Sequence, residues 1–326
     1  MSIRFGIVGT GNIAHRFAKA IQAVPEARLF AIASRSKEKA EAFAEEFHIP
    51  HAFGSYEEMA ASSEIDAAYI AVPHGEHLRC TCLMLQHKKH VLCEKPMGVN
   101  QKEVQVMIDC AKQNQCFLME AMWARFVPGT EKLFSLLEQG IIGDIRSVDA
   151  QFCYAFPEGI ATHHVFKNEN GGGALLDVGI YCLNFVSWIL GKDICRLEAT
   201  TQLCNQTDAL TEILLQYPSG AISHLSCATL LEKPRGGWIY GTKGHIYIPH
   251  FYAPEKIDIR LNSGEEQHIE TPYTGNGFEQ EIAHMCACLQ QGLTESPLHP
   301  FSQTLYISSL MDTIREKIGL SYPQDQ

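Results

Sequence analysis

The sequence lacks a cluster of basic residues. Lys and Arg together number 26 against 37 Asp and Glu, which gives a formal net charge of -11 at pH 7. Proteins that bind nucleic acid through its phosphates gather Lys and Arg on one face or along one helix. We therefore expect no nucleic-acid partner for this chain.

Paired cysteine motifs and long apolar runs are also missing. The twelve cysteines are scattered without paired C-x-x-C motifs, so we interpret them as free thiols of a cytoplasmic protein without a metal site. The N-terminal apolar stretch is short and interrupted by glycines, unlike a signal peptide. No stretch approaches the roughly 20 apolar residues that cross a bilayer, and we expect no membrane partner.

The chain does contain two different patterns of secondary structure. Up to about residue 119, short apolar runs alternate with helix-period segments, which is typical of βαβ units and a parallel sheet. Beyond residue 123, strands joined by short Pro/Gly turns indicate a mainly antiparallel sheet with a few helices. We predict an α/β fold: residues 1–122 form a Rossmann domain with a doubly wound parallel sheet, and residues 123–326 form an α+β domain.

The predicted elements follow from these patterns. Strands of the first domain are predicted at residues 3–8, 29–33, 67–72, 90–93 and 116–119. In the second domain, strands are predicted within 145–156 and 195–270, and helices at 128–138, 277–291 and 302–317.

A glycine motif directly after the first predicted strand indicates a dinucleotide site. It reads G-x-G-x-x-A, and its residues are Gly9, Gly11, Asn12, Ile13 and Ala14. The first glycine allows the tight turn, the second lets the backbone approach the pyrophosphate, and the alanine packs helix against strand.

The end of the second strand indicates which dinucleotide binds. Residues 33–36 read Ala-Ser-Arg-Ser and lack the carboxylate that would bond the 2′-hydroxyl of NAD. Arg35 can bond a 2′-phosphate through its planar guanidinium, and Ser34 and Ser36 can add hydroxyl donors. We expect NADP(H), with NAD(H) still possible; the alternative is that Arg35 is an ordinary solvated side chain.

Two further segments group polar residues where a catalytic site is expected. Glu94-Lys95-Pro96 follows an apolar strand and places a lysine at the carboxyl edge of the sheet, where ligands bind in open α/β folds. In the glycine-rich segment 171–181, Asp177 and Tyr181 are four residues apart and share one face if the segment is α-helical.

Two histidine pairs offer other possible sites. His74 and His77 form an H-x-x-H pair, which on a helix could hold a metal, although we expect none. His163 and His164 form a loop pair that fits substrate contact or plain solvent exposure.

These motifs, with residues 91–100, 117–126 and 322–325, resemble the Gfo/Idh/MocA oxidoreductase family over essentially the whole chain. The resemblance is strongest to its dimeric dihydrodiol dehydrogenase branch, which includes NADP-dependent D-xylose dehydrogenases. It implies an NADP-dependent dehydrogenase of a sugar, a polyol or a cyclic trans-dihydrodiol, and a homodimer formed through the C-terminal sheet. Alternatives are a reductase of another carbonyl or imine substrate, and a cofactor sensor without turnover.

The resemblance also assigns roles to individual residues. Lys95 would hold the substrate oxygen, Glu94 would contact the cofactor ribose, and Tyr181, where most relatives have histidine, would be the general acid/base. Asp177 would pair with the substrate or the lysine. Further cofactor contacts would come from Val72, Pro73, His74 and His77, and the substrate cleft would be lined by Trp123, Arg125, Phe126 and Phe152. Tyr181 could instead be a core tyrosine of a helix face, and Trp123 and Phe126 could be interdomain packing residues.

Chemistry supports pairing the tyrosine with the lysine. A phenol with a reference pKa near 10 is a poor base at neutral pH unless a nearby cation stabilises the phenolate. Lys95 would be that cation for Tyr181.

Overall fold

The computed structural model describes residues 2–156 and 164–326. The chain forms two compact units: Met1–Phe126 with Thr274–Leu305, and Val127–Tyr273 with Tyr306–Gln326. The polypeptide therefore leaves the first unit, returns to it and leaves it again. A boundary between residues 122 and 123 stays a prediction, and it does not include this return. His163 lies outside the described residues.

The first unit is built on a six-stranded sheet in the order β3-β2-β1-β4-β5-β6, with all neighbouring strands parallel. This confirms the doubly wound Rossmann sheet, whose strand order reverses between β1 and β4. The elements are β1 (Ile3–Val8), α1 (Asn12–Ala20), β2 (Ala27–Ala33), α2 (Lys37–Phe47), β3 (His51–Phe53), α3 (Tyr56–Ala61), β4 (Ala67–Ile70), α4 (His77–Gln86), β5 (His90–Glu94), α5 (Gln101–Asn114) and β6 (Leu118–Ala121).

Local sequence explains where these elements begin and how they pack. Ser36, Ser55 and Asn100 each accept a hydrogen bond from the backbone N–H three residues ahead, so they cap α2, α3 and α5. Phe17 of α1 stacks on Tyr69 of β4 with ring centroids 3.8 Å apart. The sequence missed β3, because this three-residue edge strand is too short to show a period.

The return segment adds a helix to the first unit. Helix α8 (Phe278–Gln290) packs against α1 and β2. Helix α9 (Phe301–Ile318) begins in this unit and continues into residues assigned to the second. Both lie within one or two residues of the predicted helices at 277–291 and 302–317.

The second unit is built on an eight-stranded sheet in the order β14-β13-β12-β11-β7-β10-β9-β8. Strands β7 and β10 pair in parallel and the other neighbours antiparallel, so the predicted mainly antiparallel sheet is confirmed. The elements are α6 (Pro128–Glu138), β7 (Ile145–Cys153), α7 (Ile180–Leu190), β8 (Arg196–Cys204), β9 (Thr207–Gln216), β10 (Ile222–Ala228), β11 (Gly236–Gly241), β12 (Gly244–Ile248), β13 (Lys256–Leu261) and β14 (Glu266–Glu270).

One face of this sheet is covered by α7, which packs on β7 and β10. Asn168–Leu190, which contains α7, is long and apolar enough to cross a membrane by length and composition, with a mean hydropathy of 1.6. The expectation that no stretch approaches this length is therefore wrong. Within the unit, 78% of its apolar window is buried, and the core helix of a soluble protein has the same character.

Candidate active site

The glycine motif lies in the turn from β1 to α1, as the sequence predicts. Gly9 has φ +105°, and its N–H donates to the carbonyl of Ala33 over 2.9 Å. A Cβ at Gly9 would lie 3.0 Å from the carbonyl carbon of Ala71 and closer still to its oxygen. Only glycine fits this backbone conformation and this close approach.

Gly11 is the opposite case, because a Cβ there would have no heavy atom within 4 Å. It precedes α1, whose start has no side-chain cap and no acidic residue in its first turn. Asn12 and Ile13 open the helix at the surface, while Ala14 is fully buried against the sheet. Open space beside uncapped helix amides fits the pyrophosphate of a dinucleotide.

At the end of β2, the predicted 2′-phosphate ligands Ser34, Arg35 and Ser36 differ in environment. Ser34 is buried, its N–H donates to Phe53 over 3.2 Å, and its hydroxyl accepts the N–H of Ser36 over 3.3 Å. Arg35 is exposed, and its guanidinium forms no hydrogen bond or ion pair with any residue that the structure describes. Ser36 caps α2 and donates to Glu38 over 2.7 Å. Arg35 therefore remains available for an anion, whereas the hydroxyl of Ser36 is engaged in capping.

The first histidine pair lies between β4 and α4, with His77 as the first residue of α4. Val72 and Pro73 precede a short 3-10 turn that begins at His74. His77 is fully buried: its Nδ1 lies 2.8 Å from the carbonyl oxygen of Pro96, and its Nε2 lies 2.9 Å from that of Val72. Burial lowers the pKa of His77, although its contacts with the backbone of Pro96, Val72 and Met97 oppose this. The imidazole thus joins two loops from inside the unit.

Glu94 and Lys95 follow at the carboxyl end of β5. Glu94 is buried and accepts hydrogen bonds from the Tyr69 hydroxyl and, over 3.1 Å, from the N–H of Lys95. Burial raises the pKa of Glu94, and the Tyr69 hydroxyl and the Lys95 charge act in the opposite direction. Lys95 is partly exposed, and its peptide bond to Pro96 is cis. The carboxylate of Glu94 therefore faces inward toward Tyr69, while Lys95 stands at the sheet edge.

The aromatic residues after β6 pack on the return segment. The ring of Trp123 is 5.6 Å from that of Phe278, and the guanidinium of Arg16 lies over both rings. Phe126 lies 4.7 Å from the ring of His284. Arg125 lies in the 3-10 turn between them and is partly exposed. Trp123 and Phe126 thus pack on residues of their own unit, and their roles in the substrate cleft or in interdomain packing stay predictions.

In the second unit, Asp177 and Tyr181 lie on successive helical segments. Leu175–Gly179 is a π-helix that leads into α7. Both residues therefore lie on a helix, as predicted, although its first part is π-helical and not α-helical. Asp177 accepts a 2.5 Å hydrogen bond from the Tyr154 hydroxyl. Burial, followed by the Asp177 charge, raises the pKa of Tyr154.

Tyr181 belongs to an aromatic cluster. Its ring centroid is 5.6 Å from that of Phe152, and Phe152 stacks on Tyr252 at 4.0 Å. Arg235 lies over Phe152 at 5.5 Å and donates to the Tyr252 hydroxyl over 3.4 Å. A cavity of about 430 Å³ is lined by residues 232–235 and His250.

Sequence reasoning missed three residues of this cluster: Tyr154, Arg235 and Tyr252. Tyr154 had a usable signal, because strand alternation places residues two apart on one face and Phe152 is a predicted cleft residue. Arg235 and Tyr252 come from loops, and no local pattern links them to Phe152.

Among the residues that the structure describes, no group of three or more His, Cys, Asp or Glu side chains could hold a metal ion. All twelve cysteines are free thiols, most of them buried.

Models of known protein families match residues in both units of the chain. Residues 3–122 match the GFO_IDH_MocA model, described as an oxidoreductase family with an NAD-binding Rossmann fold, and residues 130–247 match the GFO/IDH/MocA C-terminal domain. The chain is 36% identical over 342 residues to trans-1,2-dihydrobenzene-1,2-diol dehydrogenase of Mus musculus, and 34% identical over 339 residues to that of Homo sapiens. Each alignment covers 100% of both chains.

Solved structures share the fold. KijD10, a 3-ketoreductase from Actinomadura kijaniata in complex with NADP and TDP-benzene, superposes with a TM-score of 0.89 at 25% identity, covering 98% of each chain. An aldose-aldose oxidoreductase from Caulobacter crescentus complexed with glycerol gives a TM-score of 0.88 at 22% identity, covering 97% of each chain. The second likeness shows the fold alone.

Proposed function

The chain belongs to the GFO/IDH/MocA oxidoreductase family, and on this premise we propose that it transfers hydride between NADP(H) and a carbinol carbon of a sugar, a polyol or a cyclic trans-dihydrodiol. The family and the full-length dehydrogenase relatives make it an NAD(P)-dependent oxidoreductase of CH–OH groups. One observation carries the proposal. Glu94-Lys95-Pro96 lies at the carboxyl edge of a parallel sheet whose Gly11 turn leaves room for a dinucleotide.

The choice of NADP(H) over NAD(H) rests on the end of β2. Arg35 is an exposed guanidinium without a partner among the described residues, and residues 33–36 contain no carboxylate. A guanidinium binds a phosphate through two parallel hydrogen bonds, whereas a 2′-hydroxyl is best bound by a carboxylate. Ser34 offers a hydroxyl beside it. KijD10, the 25% identical ketoreductase, is described in complex with NADP.

We assign the proton transfer to Lys95 and Tyr181. The nicotinamide supplies the hydride acceptor or donor when the cofactor is bound. In oxidation, the substrate hydroxyl loses its proton to the Tyr181 phenolate, and the Lys95 ammonium stabilises that phenolate and the substrate oxygen. Asp177 holds the Tyr154 hydroxyl and orients the polar side of the substrate. The proposal requires Lys95 and Tyr181 to act on the same substrate molecule.

The testing experiment follows NADPH absorbance at 340 nm with purified protein, NADP+ and NAD+ in parallel, and a panel of aldoses, inositols and trans-dihydrodiols. We expect turnover with NADP+ on one substrate class and weak turnover with NAD+. Lys95→Met and Tyr181→Phe should each lower kcat about 100- to 10,000-fold, the range for a positioned acid or base, with little change in cofactor Kd. Lys102→Met, at an exposed position, is the matched control for Lys95→Met.

The double variant tests whether the two groups act together. Groups that act as a unit lose little further activity when both are removed. A loss equal to the product of the single losses would refute the coupling. NADP(H) binding without turnover on any substrate, in either direction, would favour the cofactor-sensing alternative.

A second candidate is the reverse chemistry, reduction of a keto-sugar or a related carbonyl by NADPH. The likeness to the 3-ketoreductase at 25% identity favours it. NADPH consumption with a keto-sugar, and no NADPH formation with any alcohol of the panel, would select this direction. An imine substrate remains a member of the same test panel.

We also propose that the protein is a homodimer formed through the outer face of the C-terminal sheet. Leu214, Ile222 and Tyr240 on β9, β10 and β11 are exposed by 43%, 41% and 37%, and apolar residues exposed together on a broad sheet favour association. We place this dimer in the cytoplasm, where twelve free thiols would stay reduced. Membrane and nucleic acid are not among the partners that we propose.

A further inference from the structure

The backbone of residues 96–99, which follows Lys95, is held by buried side chains. The carbonyl of Pro96 lies 2.8 Å from the Nδ1 atom of His77, and the N–H of Met97 donates to Glu120 over 2.8 Å. The N–H of Val99 donates to Glu103 over 2.9 Å. Three side chains from three different helices and strands therefore fix the turn that presents the lysine.

Glu120 connects this turn to a second buried group. The side chain is 2% exposed, and its Oε2 atom accepts from the Nε2 atom of His299 over 2.9 Å and from the hydroxyl of Thr304 over 3.3 Å. The His299 side chain is fully buried, and its Nδ1 atom has no hydrogen-bond partner among the described residues. Since Nε2 faces a carboxylate, which can only accept, Nε2 carries a proton that points at Glu120.

Glu120 is thus a buried carboxylate with three donors, Met97 N–H, His299 Nε2–H and the Thr304 hydroxyl. Buried carboxylates are tolerated when their oxygens are satisfied in this way. Oε1 accepts the N–H of Met97 in the Lys95 turn, and Oε2 accepts the hydrogen bond from His299. The two hydrogen bonds therefore use different oxygen atoms. The orientation of the carboxyl plane is fixed from both ends.

His299 is itself held in place by its own segment. The hydroxyl oxygen of Ser296 accepts the N–H groups of His299 and Leu298 over 3.0 and 3.2 Å. The carbonyl of Thr294 accepts the N–H of Leu118 over 3.2 Å, at the start of β6. The return of residues 274–305 to the first unit therefore ends in a chain of hydrogen bonds that reaches the backbone beside Lys95.

We infer that Glu120 and His299 form a positioning pair that holds Lys95 in the position it needs for catalysis. This inference rests on the proposed function of Lys95. A misplacement of about 1 Å in a catalytic group can lower its rate by about 100-fold without changing the chemistry. Neither residue needs to touch substrate or cofactor for the pair to act.

The test compares Glu120→Leu, Glu120→Gln and His299→Phe with the wild-type protein. We expect Glu120→Leu to lower kcat about 10- to 100-fold with cofactor Kd within about twofold, because the Met97 N–H loses its acceptor while the glycine turn is untouched. Glu120→Gln keeps an oxygen that can accept the Met97 N–H, so this variant should retain most of the wild-type kcat. His299→Phe should give an intermediate loss, because the Thr304 hydroxyl still donates to Glu120.

Leu85→Ala is the matched control for loss of stability. Leu85 is fully buried in α4 within the same unit, and its side chain is not part of the Lys95 turn. It should lower Tm at least as much as Glu120→Leu while leaving kcat unchanged well below Tm. Equal kcat losses in the two variants would show that the pair only stabilises the fold, and would overturn the inference.

Hydrogen exchange of the cofactor-free protein separates this inference from the proposed function. Exchange at the amides of Met97 and Val99 should accelerate more than about tenfold in Glu120→Leu and not in Leu85→Ala. Unchanged exchange overturns the inference whatever the activity. Accelerated exchange with wild-type kcat also overturns it, since the turn then does not position Lys95. A wild-type protein that is inactive with every substrate refutes the proposed function instead.

Discussion

Alanine at each of the two glycines of the β1–α1 turn should have opposite effects on stability and on cofactor binding. Gly11 has φ -79° and ψ 179°, an extended conformation open to any residue, and a Cβ there meets nothing within 4 Å. Gly9 has φ +105°, and a Cβ there would meet the Ala71 carbonyl. The apo protein should therefore tolerate Gly11→Ala and be destabilised by Gly9→Ala.

The magnitudes follow from backbone strain and chain entropy. Gly9→Ala combines a forbidden conformation with a steric overlap, which we expect to cost on the order of 2–4 kcal/mol. For a unit of this size that lowers Tm by roughly 5–15 °C. Gly11→Ala removes conformational freedom from the unfolded chain without strain, which should add about 0.4–1 kcal/mol and raise Tm by roughly 2 °C.

Gly11→Ala should weaken cofactor binding although it does not destabilise the cofactor-free protein. NADPH at about 100 times its wild-type Kd should add about 2.7 kcal/mol to the stability of the wild-type protein. The methyl group added by Gly11→Ala would occupy space that the pyrophosphate needs, and a loss of affinity of about 100-fold leaves only about 0.4 kcal/mol of that stabilisation. The variant should be at least as stable as wild type without cofactor and clearly less stable with it.

Thermal unfolding with and without NADPH measures both effects in one experiment, with fluorescence titration for Kd. Ser63→Ala, at an exposed position away from the turn, serves as the control. Full cofactor-induced stabilisation of Gly11→Ala would refute the placement of the pyrophosphate at this turn. An unchanged Tm for Gly9→Ala would refute the strain argument.

Three further predictions concern charge and association. Burial raises the pKa of Asp208 to about 7, so its contribution to stability is full below pH about 4 and is lost as pH rises to about 7. In urea unfolding, the free energy of unfolding of the wild type should change by about 1 kcal/mol per pH unit in that range through Asp208, and Asp208→Asn should lose this change. Parallel plots of unfolding free energy against pH for the two proteins would contradict it. Arg35→Ala should weaken NADP+ binding about 10- to 100-fold and leave NAD+ unchanged; equal losses would exclude the 2′-phosphate contact. Leu214→Arg should convert the proposed dimer to a 36.3 kDa monomer in light scattering, and a wild-type monomer would exclude the dimer.

Local patterns carried most of the fold. The glycine turn, the strand–helix alternation and the short Pro/Gly turns each depend on residues adjacent in sequence, so the parallel and antiparallel sheets were predictable. Helix α6 was predicted at Pro128–Glu138 and lies there. The exceptions are short or locally ambiguous: β3 has three residues, and the π-turn before α7 has the composition of an ordinary helix.

The sequence by itself determined the chemistry that the chain carries: the glycine turn, the arginine after β2, and the lysine and tyrosine in their segments. Only the tertiary structure decided which of these side chains face inward. Glu94 turns toward Tyr69, and the two ring nitrogens of His77 face backbone carbonyls of two loops, because parallel strands bring together loops distant in sequence. Glu120 and His299 are 179 residues apart in sequence. No local sequence pattern predicts a hydrogen bond between two segments that only the folded chain brings together.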